Sequence, residues 1–160
     1  IQQGHRKIAV LGGPATSYPS MMRRQGAQQA MEDAGIRFED KLYGLSNYDF
    51  ESAYHAMNGL LARRAEFTAL FAMSDVIAFG AIRALVSAGL RVPEDVSVIG
   101  FDGITMSRYC VPVMTTIVQP SEQIALQSIE LLVRQIEHGT PAQTVTLQPE
   151  LQQGESVRAI

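Results

Sequence analysis

The sequence predicts an α/β layered fold built on a mainly parallel sheet. Three features point there. Apolar runs of strand length alternate with amphipathic helical stretches, glycines close most of the helices, and the loops after the strands are rich in small, hydroxyl or amide side chains. In a parallel sheet those loops share one rim, and ligands of open α/β sheets bind at that rim.

Residues 7–11, KIAVL, form the first expected strand, broken by Gly12-Gly13-Pro14. A helix is expected over 20–34, with a weak apolar stripe of Met22, Ala30 and Met31 and a stop at Gly35. Its interior Gly26 costs on the order of 1 kcal/mol against alanine, which a close packing contact would justify. Residues 39–44 suggest a short second strand, and 50–65 a helix with Ala53, Met57, Leu60 and Leu61 inward and Asp49 or Glu51 at its positive end. FTALFA, 67–72, is the third strand. Ser74 is the expected N-cap of a helix over 75–88. That helix carries so little polar surface that burial on two sides is expected, by the sheet and by a second subunit.

Gly89 ends that helix, Arg91-Val92-Pro93 links, and 96–99 is the fourth strand, after which Gly100-Phe101-Asp102-Gly103 leaves its carboxyl end. An irregular segment, 106–113, precedes a fifth strand at 115–118. Pro120 breaks that strand, and Ser121 is the expected cap of a helix reaching His138. Its stripe is Ile124, Ala125, Ser128, Leu131, Leu132, Gln135 and Ile136, and Gly139-Thr140-Pro141 stops it. TVTL, 144–147, is the expected last strand, and the tail from 152 is loosely patterned.

The composition narrows the function classes. A chain of 160 residues with net charge -3 has room for one sizeable core and carries no basic footprint for nucleic acid. Its one cysteine, Cys110, cannot form an internal disulfide, so a reducing, cytoplasmic location is expected. No apolar run reaches membrane-spanning length, and the first residues lack a signal peptide's apolar region. The start has no initiator methionine and opens almost directly into a strand, as a fragment would.

No enzyme constellation is legible. His5, His55 and His138 have no metal-ligand spacing, GGPATS lacks both the G-x-G-x-x-G spacing and a phosphate-loop lysine, and Cys110 has no histidine near it in sequence. The expectation is a non-enzyme without metal or cofactor. The remaining candidates are polar residues near strand tips. Arg23 is either a surface arginine beside Arg24 or a rigid fork of donors for ligand hydroxyls or a carboxylate. Asn47 and Tyr48 form either a turn with one anchoring aromatic or a stacking face for a sugar or base. Ser74 reads first as a helix cap. Asp102, set between two glycines, is either a turn residue or an acceptor for vicinal hydroxyls. Together they describe a binding cleft rather than a catalytic one.

The stretch GLRVPEDVSVIGFDG, 89–103, resembles the signature of the lactose-repressor family of bacterial transcription regulators, in the effector-binding region. The likeness continues through GHRKIAVLGG, the R-x-x-G pattern of Arg23 and Gly26, Ser46-Asn47-Tyr48 with Glu51-Ser52-Ala53-Tyr54, ALFAMSDVIAFGAIRAL, VMTTIVQP and TVTLQPEL. It covers nearly all the chain. It implies a Rossmann-like, three-layer lobe of the type I periplasmic-binding-protein-like fold, with the other lobe largely missing. Residues 1–118 would form the carboxyl-terminal effector-binding lobe. Residues 119–141 would carry the crossover strand end and a helix belonging to the amino-terminal lobe, and 142–160 the returning strand and tail.

The same resemblance implies that Arg23, Tyr48, Asp102, Ser74 and Asn47 contact a small effector, a sugar or nucleoside, and that the chain forms a homodimer. Operator DNA would be reached only through a helix-turn-helix headpiece absent from this sequence. Effector binding would shift the population of lobe arrangements and so the spacing of paired headpieces. The sequence departs from the family near its end, where QQGES places Gly154 at a position often held by arginine. The competing expectation is a periplasmic-type sugar-binding protein on the same two-lobe fold.

Overall fold

The strand–helix alternation is realised in a computed structural model that describes all 160 residues. In chain order the elements are β1 (Ile8–Gly12), α1 (Tyr18–Asp33), β2 (Tyr43–Leu45), α2 (Phe50–Ala62), β3 (Ala69–Ala72), α3 (Asp75–Ser87), β4 (Ser97–Asp102), β5 (Thr115–Val118), α4 (Ser121–His138) and β6 (Glu150–Gln152). Short 3-10 turns at Asp40–Leu42 and Thr105–Arg108 precede β2 and follow β4. The sheet order is β2-β1-β3-β4-β5-β6; β1 to β5 run parallel and β6 antiparallel against β5.

Right-handed crossovers place α1 on one face of this sheet and α2 with α3 on the other. The second face is the core. Val98 and its register partner Leu70 are fully buried there with Met57, Leu60, Ile77, Ala81 and Leu85. The two helices cross closely because position 80 has no side chain: a Cβ on Gly80 would stand 2.5 Å from the Phe50 carbonyl oxygen and 2.8 Å from Ala53 Cβ. Both helices start on side-chain caps. Asp49 accepts from the Ser52 N–H at 2.7 Å, and the Ser74 hydroxyl oxygen accepts from the Ile77 N–H at 3.1 Å, as the sequence led us to expect for Ser74. The first face is only partly covered. Phe71, Ile99 and Phe101 line a trough of about 760 Å³ beside Gly26, Ala27 and Ala30 of α1.

Several boundaries differ from the sequence reading. The last strand is Glu150–Gln152 rather than 144–147, because strand structure needs an edge to pair with, and the free edge of β5 meets residues 150–152. Residues 144–147 form no strand. Ser121 is not the cap of α4: Pro120 occupies that position, and no side chain caps the helix. Gly139 does end α4, in the left-handed conformation at φ 60°. Gly26 has no close contact to justify it, since a Cβ there would meet nothing within 4 Å. β4 runs on to Asp102, so this residue is the last of its strand rather than part of the loop beyond it. No helix is long and apolar enough to cross a membrane.

Candidate functional site

The carboxyl ends of β1 to β5 form one rim, and Asp102 lies on it with φ 117°, a backbone conformation disfavoured for an L residue. Gly103 follows at φ 71°, where a Cβ would stand 2.7 Å from Val118 Cγ2, so only glycine fits the turn. This geometry presents the Asp102 carboxylate to two donors. Gln119 Nε2 donates to Oδ1 at 2.6 Å, and Arg23 Nη2 lies 3.5 Å from the same oxygen. The other oxygen, Oδ2, accepts no hydrogen bond from the protein. Burial pushes the Asp102 carboxyl above its ordinary range; the Arg23 charge and the Gln119 hydrogen bond pull it back, while the like charge of Asp75 adds to the rise.

Arg23 is the more buried of the two adjacent arginines. Its Nη1 donates to the Met73 carbonyl and its guanidinium lies 3.8 Å from the centre of the Phe101 ring. Only 18% of its side chain is exposed. Arg24 turns the other way, over Tyr43 at 4.5 Å. Arg23 is thus held on three sides beside Asp102.

Tyr48 occupies the far end of the rim, over β1. It takes the left-handed conformation at φ 61°, and its ring lies flush on Gly13: a Cβ there would stand 2.0 Å from Tyr48 Cε2. Its hydroxyl is buried without a hydrogen-bond partner, which is unusual for a buried polar atom. The two ends join through Ser20, whose hydroxyl donates to the Gly13 carbonyl at 3.1 Å and lies 3.7 Å from Met73 Sδ, the residue whose carbonyl receives Arg23. Tyr48 makes no hydrogen bond to Arg23 or Asp102.

The other two candidates differ. Ser74 is buried beside Met73 with its oxygen engaged as the α3 cap. The Asn47 side chain is exposed and makes no hydrogen bond within the protein; only its backbone N–H is engaged, with Ser52 Oγ at 2.9 Å. Gln119 directly follows β5 and was not among the site residues expected from sequence. Neither were Phe101 and Asp75. No group of three or more histidine, cysteine or acidic side chains is placed to hold a metal.

Comparison with known proteins places this rim in context. A model of the periplasmic binding protein-like domain matches residues 1–157. The chain is 36% identical over its whole length to the HTH-type transcriptional repressor PurR of Histophilus somni, of which it covers 48%. Among solved structures, the transcriptional regulator CelR in complex with cellobiose superposes on 97% of the chain with a TM-score of 0.93 at 35% identity, the chain covering 48% of it. A sugar-binding transcriptional regulator of the LacI family from Escherichia coli, complexed with phosphate, superposes on 99% with a TM-score of 0.91 at 33% identity, the chain covering 57% of it. The chain spans about half the length of the curated relatives it matches. It belongs to the periplasmic binding protein-like domain family, in the form carried by LacI-family transcriptional regulators.

Proposed function

We propose that this chain is the carboxyl-terminal lobe of the effector-sensing part of a DNA-binding transcriptional regulator, and that its rim binds a polyhydroxylated ligand, a sugar or nucleoside. One observation carries the site: Asp102 Oδ1 is engaged by Gln119 and Arg23 while Oδ2 is unused and aligned by the same contacts. A carboxylate held this way accepts from ligand hydroxyls without first reorganising. The Tyr48 ring and its unpartnered hydroxyl offer a stacking face and a second polar contact. The relatives favour a regulator over a periplasmic carrier.

Several parts of the reading concern the longer protein. The first lobe would supply the opposite wall of the cleft, and the headpiece the operator contact. In keeping with this, α4 buries none of its 18 residues, as expected of a helix that packs on that lobe. A homodimer is supported by the surface after β4, where Tyr109 and Val111 are 76% and 93% exposed. The rim has ligand-holding groups but no paired acid, base or nucleophile, which supports binding without catalysis. A cytoplasmic location goes with the regulator reading.

The test is titration calorimetry of the full-length protein against a panel of sugars and nucleosides that includes cellobiose. One ligand should give saturable heat, and Asp102→Ala should abolish it. Unaltered binding in that variant removes Asp102 from the site.

A further inference from the structure

We propose that Asp75 is the positioning residue of the rim: it fixes the backbone turn that aims Asp102. The proposal rests on the reading of Asp102 as the ligand-facing carboxylate and adds what holds that carboxylate in place.

Asp75 is the first residue of α3 and is fully buried. Its two oxygens hold different elements. Oδ1 accepts from the Thr116 hydroxyl of β5 at 2.6 Å, and Oδ2 accepts from the backbone N–H of Ile104 at 2.9 Å. β4 makes room for it, because a Cβ on Gly100 would stand 2.2 Å from Oδ1. One carboxylate therefore joins the start of α3, the inside of β5 and the segment just beyond β4. The positive end of the α3 dipole favours a negative charge at that position.

Ile104 lies two residues past Asp102. Two ties hold the backbone that follows the disfavoured φ of Asp102: the Gln119 N–H donates to the Asp102 carbonyl at 3.1 Å, and the Ile104 N–H is tied to Asp75. A residue at φ 117° returns to the ordinary extended region unless its surroundings prevent it. Without the Ile104 tie the turn relaxes, and the Asp102 side chain swings away from Gln119 and Arg23. Asp75 touches neither of those side chains by hydrogen bond; it acts through the backbone.

Two variants test this by NMR on the chain without ligand. Asp75→Asn is isosteric, removes the charge and leaves one carbonyl oxygen where two carboxylate oxygens served two donors. Ile104→Pro removes the N–H donor at a residue whose φ of -65° proline shares. Both should move the Asp102 amide–Hα coupling from the small value set by φ near 117° to the large value of an extended strand, and both should shift the Gln119 side-chain amide signals. In Asp75→Asn, exchange of the Ile104 amide should rise about tenfold, the scale of replacing a charged acceptor by a neutral one. Thr116→Val removes the other bond to Asp75 and should leave the Asp102 coupling unchanged, which separates positioning from a general loss of packing. Unchanged Asp102 and Gln119 signals in folded Asp75→Asn and Ile104→Pro would overturn the proposal. Because no ligand enters these readouts, their outcome is independent of the calorimetry that tests Asp102 itself.

Discussion

α3 and α4 are both amphipathic helices stopped at or just beyond their ends by a left-handed glycine, yet they stand in opposite environments. α3 buries Ile77, Ala78, Ala81, Ala84 and Leu85 between the sheet and α2. α4 buries nothing, and its Ile129 and Ile136 are 63% and 73% exposed. Periodicity makes a helix and selects the face to be covered; it does not supply the cover. α3 is therefore part of this lobe's stability, whereas α4 is patterned for a surface that residues 1–160 do not provide.

The sharpest way to break that contrast is to truncate equivalent side chains on each helix. Leu85→Ala should cost about 2–5 kcal/mol in urea unfolding, the range for a fully buried leucine. Leu132→Ala, on α4, should stay within about 0.5 kcal/mol. Equal losses at the two sites would mean that α4 is covered after all.

Smaller effects sharpen the comparison on the covered side. Gly80→Ala forces α2 and α3 apart and should cost about 1–3 kcal/mol, visible as a lower urea midpoint. Gly26→Ala has the opposite sign: its Cβ enters the open trough and the helix gains propensity, so stability should rise by up to about 1 kcal/mol. A fall would show that the trough is occupied.

The smallest effect lies on the surface after α3. Arg91 donates to Asp95 through its side chain and its backbone N–H, which holds the carboxyl at about 2 instead of its ordinary 3.8. A lowered folded pKa contributes stability above the unfolded value, and the contribution is lost as pH falls through the folded one. Asp95→Asn should therefore flatten the acid limb of the stability profile between pH 3.8 and about 2 and leave the difference between the proteins constant at higher pH.

Much of this was legible in the chain. The Ser74 cap, the Gly89 and Gly139 stops and the spacing of apolar residues are local signals within a few residues of one another. They marked every helix and five of the six strands. β6 escaped because TVTL has the better strand composition, whereas ELQ has the partner. The site was legible in part for the same reason. Asp102 and Arg23 stand out as polar residues at strand and helix ends, but their contact spans 79 positions. Asp75 was hidden behind its own position: an acidic residue next to a cap reads as a helix-dipole residue, and nothing local announces Thr116 or Ile104 as its partners.

The amino-acid sequence by itself determined the order of strands and helices, because caps, stops and apolar periods act over one or two turns. It also determined that polar residues would gather on one rim, since a parallel sheet aligns its carboxyl ends. Only the tertiary structure decided which of them engage. The disfavoured backbone of Asp102, the Gln119 and Arg23 contacts and the buried Asp75 ties all depend on groups brought together from distant parts of the chain, and their geometry exists only once β4 and β5 lie side by side with α3 packed across them.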